Sequence, residues 1–169
     1  MNKQEVYEFL KNNNIGFEAV EHPAVFHMGE EVDRELPHPE ADAKNLFLRD
    51  DKKQNSYLIT VRGDKKVDLK AFRREHGLRP LSFGSPEALK EKLDLIPGSV
   101  SPFGLLSNDA CDVVFYLDKD FLEEPFLIGC HPNDNTATVF VKTTDMIKLI
   151  EAHGTHLEAV ELPLRPAAD

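Results

Sequence analysis

Apolar residues recur along the chain at two spacings, which divide it into helices and strands. Val6, Phe9 and Leu10, set among polar neighbours in residues 2–14, have helical spacing, and the asparagines with Gly16 end that helix. Residues 17–21 alternate as a short strand that His22-Pro23 breaks. Residues 28–36 read as a short acidic helix, and 36–40, with two prolines, as a loop. Residues 44–49 and 57–62 form a hairpin around a polar turn at 50–55. Residues 69–76 are helical, stopped by Gly77, and 81–83 are brief and strand-like. Ser85 is placed to cap, and Pro86 to open, a helix through Leu93. Residues 97–102 form a loop. Residues 113–117, 125–130 and 137–141 are strands rich in Val, Phe and Ile. Thr143 or Thr144 is expected to cap a last helix through about Ala152. An edge strand at 157–162 and a frayed tail at 164–169 follow.

Hairpins mixed with inserted helices predict a mixed α/β (α+β) fold. There is no repeat or interdomain linker, so residues 1–163 are expected to form one domain, with 164–169 a disordered tail. At 169 residues, such a domain buries roughly 70 % of its unfolded surface and needs no staples. Cys111 and Cys130 do not form a secreted-type framework and read as reduced, part-buried thiols. No apolar stretch approaches the ~20 residues of a membrane span, and the N-terminus lacks a signal-peptide core. A cytoplasmic address is the resulting expectation, with no membrane partner. A net charge of −10 argues against nonspecific duplex DNA binding, which depends on neutralising many phosphates. Basic residues do cluster at Lys65, Lys66, Lys70, Arg73, Arg74 and Arg79; alone, that cluster reads as a solvated helix face.

Three segments could carry chemistry. Lys44 opens an apolar strand beside Leu46, Phe47 and Leu48, where an ammonium must turn outward, pair or be used. If it shares a face with Leu46 and Leu48, burial would lower its pKa and a nearby anion would raise it. As a bare strand-entry lysine it would snorkel to water. Gly98-Ser99-Val100-Ser101-Pro102 can aim several backbone N–H groups at one anion or developing oxyanion, or serve as a plain connector. The third segment, residues 129–136, sets His131, Asn135 and Thr136 between two apolar strands. His131 could orient a substrate or move a proton; the segment could equally be a self-bonded turn. The spacings of His22, His27, His38, Cys130 and His131 match no metal motif, and no nucleophile elbow, Walker loop or Rossmann pattern is present.

His22-Pro23-Ala24-Val25-Phe26, Ala43 to Leu48, the G-x-x-x-P loop Gly98 to Pro102, and His131 with Asn135-Thr136 together resemble the YbaK / prolyl-tRNA editing-domain family. Leu81-Ser82-Phe83-Gly84 and Pro102 to Leu106 look like its free-standing ProX (PrdX) branch. The resemblance covers residues 2–162. It implies a strongly bent mixed sheet with flanking helices, no cofactor, and hydrolysis of mischarged tRNA(Pro), foremost alanyl-tRNA(Pro). It implies Lys44 as the essential lysine, Gly98 to Pro102 as the substrate loop, and Asn45 and His131 around the terminal adenosine or amino acid. The partners implied are the tRNA acceptor end and prolyl-tRNA synthetase. The alternative is a noncatalytic module that holds tRNA or a synthetase on the same fold. One departure is His27, where many members carry Thr.

Overall fold

The computed structural model describes residues 1–24 and 36–166. The helix expected over 28–36, apart from Leu36, lies outside the described residues, as do Val25, Phe26, His27 and residues 167–169. The first helix, α1 (Lys3–Asn12), starts with a capping box. The Asn2 side chain accepts from the Glu5 N–H, and the Glu5 carboxylate accepts from the Asn2 N–H. It buries Val6 and Leu10, so the predicted apolar spacing is also the packed face.

The fold is mixed α/β as expected, with its strands in two linked sheets. Antiparallel β1 (Phe17–Glu21), β7 (Ala137–Lys142) and β6 (Leu127–Cys130) form the smaller, in the order β1-β7-β6. The larger is ordered β4-β2-β3-β5-β8. It consists of β2 (Ala43–Asp50), β3 (Ser56–Arg62), β4 (Leu81–Phe83), β5 (Val113–Asp118) and β8 (Leu157–Val160). It is mixed: β4, β2 and β3 pair antiparallel, and β3, β5 and β8 pair parallel. A parallel bridge between Asp42 and Gly129 joins the two sheets. Gly129 is required there, because a Cβ would stand 2.5 Å from Cε1 of the buried Phe140 ring.

The larger sheet is buried on both faces. One core gathers Phe47, Leu58, Phe115 and Leu117 with residues of α1, α3 (Pro86–Leu93), α4 (Thr143–His153) and the smaller sheet. The other packs Leu48, Ile59, Val61 and Tyr116 under Phe72 of α2 (Leu69–Glu75) and Leu162. The β2–β3 turn is closed by Asp50, whose carboxylate accepts from Gln54 N at 2.9 Å, Asn55 N at 3.3 Å and Asn55 Nδ2 at 2.7 Å.

The structure adds to or departs from the sequence reading in several places. Residues 102–107 and 119–122, where no helix was predicted, are 3-10 helices. β6 begins at Leu127 rather than Pro125, because Phe126 adopts φ 62° and leaves the strand path. Neither Thr143 nor Thr144 caps α4. Lys142 occupies that position without a side-chain bond, and Thr143 Oγ1 donates instead to Phe121 O at 2.6 Å. Leu164 and Arg165, expected in the frayed tail, are tied down: Leu164 pairs with Val67, and Arg165 N donates to Lys66 O at 2.8 Å.

Candidate active site

Adjacent strand residues face opposite ways, and β2 sends Lys44 and Asn45 to different sides of its sheet. Lys44 shares the side of Leu46 and Leu48, which belong to the α2-covered core. It is half-buried, and its Nζ donates to Lys65 O at 2.8 Å. Burial lowers its pKa, Arg165 and Lys66 push the same way, and Asp64 opposes them. Lys44, Lys66, Lys70 and Arg165 line one cleft of about 610 Å³, with Leu46 and Phe83 as apolar walls. The snorkelling lysine of the sequence reading is therefore a wall of a cationic cleft. Part of the basic cluster joins it; Lys65 and Arg79 are instead paired with Asp118 and Asp51.

Asn45 lies on the side of Ala43 and Phe47, where Thr60 Oγ1 donates to its Oδ1 at 2.6 Å. The Gly98–Pro102 loop is on that side too. Gly98 takes φ 91°, a conformation suited to glycine. Ser99 and Ser101 are buried, and Val100 packs against the core. Ser101 Oγ accepts from Phe103 N and caps the 3-10 helix that Pro102 opens. Burial pushes the Cys130 thiol up to about 12 despite its hydrogen bond with Ser101, which rules it out as a thiolate near neutral pH.

In the 131–136 turn, His131 Nδ1 lies 2.8 Å from Ala137 O; a carbonyl only accepts, so Nδ1 carries a proton. Thr136 Oγ1 donates to Asp134 Oδ1 at 2.5 Å and accepts from Lys3 Nζ at 2.8 Å. Lys3 also holds Glu21 at 2.7 Å, so α1 and β1 both brace the turn. Asn135 is buried. Asn133 donates through Nδ2 to Met1 O, while its buried Oδ1 takes no hydrogen bond among the described residues. Ser99 and Asn135 line a second cleft, of about 360 Å³, together with Glu5, Lys90 and Asp94.

The structure thus joins the Gly98–Pro102 loop to the 131–136 turn and places Lys44 in a separate cleft. The two regions meet near the junction of the sheets. Lys44 is two residues beyond Asp42, and His131 is two residues beyond its partner Gly129. His22, absent from the predicted site residues, stands beside His131 with ring centroids 6.0 Å apart, and its Nε2 is 2.9 Å from Thr138 Oγ1. The His22-Pro23 dipeptide was visible as a strand breaker, but nothing in its local pattern announced a ring neighbour over a hundred residues away. No group of three or more His, Cys, Asp or Glu among the described residues is placed to hold a metal ion. No described helix is long and apolar enough to cross a membrane.

This two-sheet α+β fold has known counterparts. Residues 22–149 match the family model described as the aminoacyl-tRNA editing domain. The chain belongs to that family and is by class an aminoacyl-tRNA deacylase, a hydrolase. It is 36 % identical over 160 residues to the prolyl-tRNA editing protein ProX of Acetoanaerobium sticklandii, covering 95 % of this chain and 97 % of that one. It is 37 % identical over 147 residues to the mouse prolyl-tRNA synthetase associated domain-containing protein 1, covering 83 % and 84 %. A crystal structure solved as a candidate trans-editing enzyme for prolyl tRNA synthetase superposes with a TM-score of 0.69 at 22 % identity. That superposition covers 95 % of this chain and 96 % of the other, and indicates a shared fold.

Proposed function

We propose that this protein edits in trans, hydrolysing the ester of alanyl-tRNA(Pro) to alanine and free tRNA after prolyl-tRNA synthetase has mischarged it. The observation that carries the reading is the gathering of Lys44, Lys66, Lys70 and Arg165 in one cleft of a chain whose net charge is −10. Four cations held together in an acidic protein suit a polyanion presented at one place. The need for such an activity follows from pocket energetics. A synthetase pocket built for proline cannot strongly reject a smaller side chain, since a methylene is worth only ~1–3 kcal/mol.

In this reading the acceptor end crosses the junction of the sheets. Lys44 binds a phosphate near the scissile ester. On the other side, Asn45, His131, Asn135 and Thr136 surround the terminal adenosine and the amino acid. The Gly98–Pro102 backbone, with Ser99, Val100 and Ser101 between its fixed ends, faces the carbonyl oxygen as its charge develops. Water attacks the carbonyl carbon, the ribose 2′-hydroxyl takes the water's proton and passes its own to the leaving 3′-oxygen, and the ester bond breaks. The substrate supplies the relay, so no protein carboxylate or thiolate is needed.

The test is turnover. With alanyl-tRNA(Pro) in large excess, substoichiometric protein should release many equivalents of alanine, and faster than it releases serine or cysteine from the corresponding tRNAs. Stoichiometric binding with no release would identify a noncatalytic module instead.

The protonation of Lys44 adds a pH signature. Its ammonium is destabilised by burial, so kcat/KM, corrected for uncatalysed ester hydrolysis, should fall as pH rises through a value below the ordinary lysine range. Arg165→Gln should move that limb to higher pH, because it removes a repelling charge; an unmoved limb would detach it from Lys44. The linkage runs in the same sense. Between the lowered folded pKa and the unfolded one, the unfolded chain binds more protons, so the stability cost of Lys44 shrinks as pH rises.

A further inference from the structure

Phe83 is 66 % exposed, the most exposed large hydrophobic side chain among the described residues. Its position is held from below. In the β2–β4 register it stands opposite Leu48, whose side of the sheet also carries Leu46 and Lys44. The next residue, Gly84, donates its N–H to Phe47 O at 3.0 Å, and its Cα lies so close to the Phe47 ring that a Cβ would sit 2.4 Å from Cδ2. The backbone beneath Phe83 is therefore fixed while its ring faces solvent at one wall of the cationic cleft. Four residue steps along β2, about 13 Å of strand, separate Lys44 from Leu48. Asp68, the one acidic residue of the cleft wall among the described residues, is turned into α2, where its Oδ1 accepts from Ala71 N at 3.0 Å.

Clustered cations followed by an exposed aromatic ring are the two parts of a single-stranded nucleic-acid site: charges that track phosphates and a face on which a base stacks. A free phosphate or small anion would use the cations and leave Phe83 idle. We propose that this cleft binds the unpaired 3′ strand of the tRNA acceptor end, with a base stacked on Phe83 and the backbone phosphates on Lys66, Lys70 and Arg165. The inference deepens the deacylase reading and rests on it. Arg165 gives the C-terminal segment a role in binding: its N–H on Lys66 O ties that segment to the basic loop, so both sides of the phosphate track move as one.

A binding cycle with uncharged tRNA(Pro) tests this. The two ligands are the intact tRNA and the same tRNA with all of its unpaired 3′ nucleotides removed. Phe83→Ala should weaken binding of the intact tRNA about tenfold and leave binding of the shortened one unchanged. Phe83→Trp should restore the loss. Arg165→Gln should lower the slope of log K against log salt by about 0.7, the contribution of one phosphate contact on a single strand. Phe83→Ala with unchanged affinity for the intact tRNA, or with equal losses on both ligands, would overturn the stacking site. Because Phe83 is exposed, circular dichroism should show a folded variant. Deacylation by the wild-type protein is measured separately. If it turns over alanyl-tRNA(Pro) while the cycle shows no coupling, the site is wrong and the deacylase reading stands. If it does not turn over, that reading fails, and the cycle still decides whether the cleft binds the 3′ strand.

Discussion

Lys44→Ala should lower kcat/KM for alanyl-tRNA(Pro) by about 10²–10³-fold and leave the melting temperature within a few degrees of wild type. The activity loss is the size expected when the charge that holds a phosphate beside the scissile ester is removed and the ester is misplaced. The stability is preserved because the native state gains little from this ammonium. Its lowered pKa reflects surroundings that disfavour its charge, and among the described residues it makes one hydrogen bond, to Lys65 O. Lys44→Arg keeps the charge but changes its reach, and should recover part of the binding and less of the rate. Full activity in Lys44→Ala, measured with a separately confirmed melting temperature, would remove Lys44 from the mechanism.

Asp118→Ala should be the most destabilising polar substitution, at about 3 kcal/mol, read as a fall in melting temperature of about 6–12 °C. Asp118 is 2 % exposed at the end of β5. One carboxylate oxygen accepts from Lys65 Nζ at 2.5 Å and Arg62 N at 3.0 Å, and the other from Asp120 N at 3.1 Å. Alanine would leave those donors without their partner in a site that excludes most water. Lys65 keeps Asp120 at 2.7 Å, which limits the loss. The same change should weaken deacylation at temperatures where the variant is folded, since Lys65 carries the carbonyl that receives Lys44 Nζ. Asp118→Asn keeps the shape and can still accept from Arg62 N, so it should fall between the two. An Asp118→Ala protein as stable as wild type would show that this buried carboxylate is dispensable.

The hairpin of β2 and β3 and the capped start of α3 were legible because each depends on neighbours in sequence. Ser85 accepts from Ala88 N at 3.1 Å, three residues on, as its position before Pro86 predicts. The 3-10 helix at Pro102–Ser107 was not legible, since Phe103, Gly104, Leu105 and Leu106 are all buried and a continuous apolar run has no period to read. The Thr143 cap failed for a tertiary reason: its hydroxyl serves Phe121 O, contributed by a separate 3-10 helix. The joining of the two sheets depends on the Asp42–Gly129 bridge, between residues 87 positions apart. The cationic cleft was half visible. Lys66 and Lys70 stood in a basic cluster, but the contribution of Arg165 needed the pairing of Val67 with Leu164, and the exposure of Phe83 needed the order of strands.

Parity along β2 has a mechanical consequence. Even positions such as Leu46 and Leu48 feed one core, and odd positions such as Ala43 and Phe47 feed the other. A slip of one residue against β3 would deliver an amide to the cationic cleft and bury the ammonium on the Asn45 side. Burying that ammonium would itself oppose the error. The Asn45–Thr60 bond and, at the far end of the strand, the three hydrogen bonds with which Asp50 closes its turn hold the register as well. That turn works as a ratchet pawl for the hairpin: it touches no part of the proposed site, yet it determines which functional group arrives there. Loosening it should yield a population of well-folded molecules that are chemically mute.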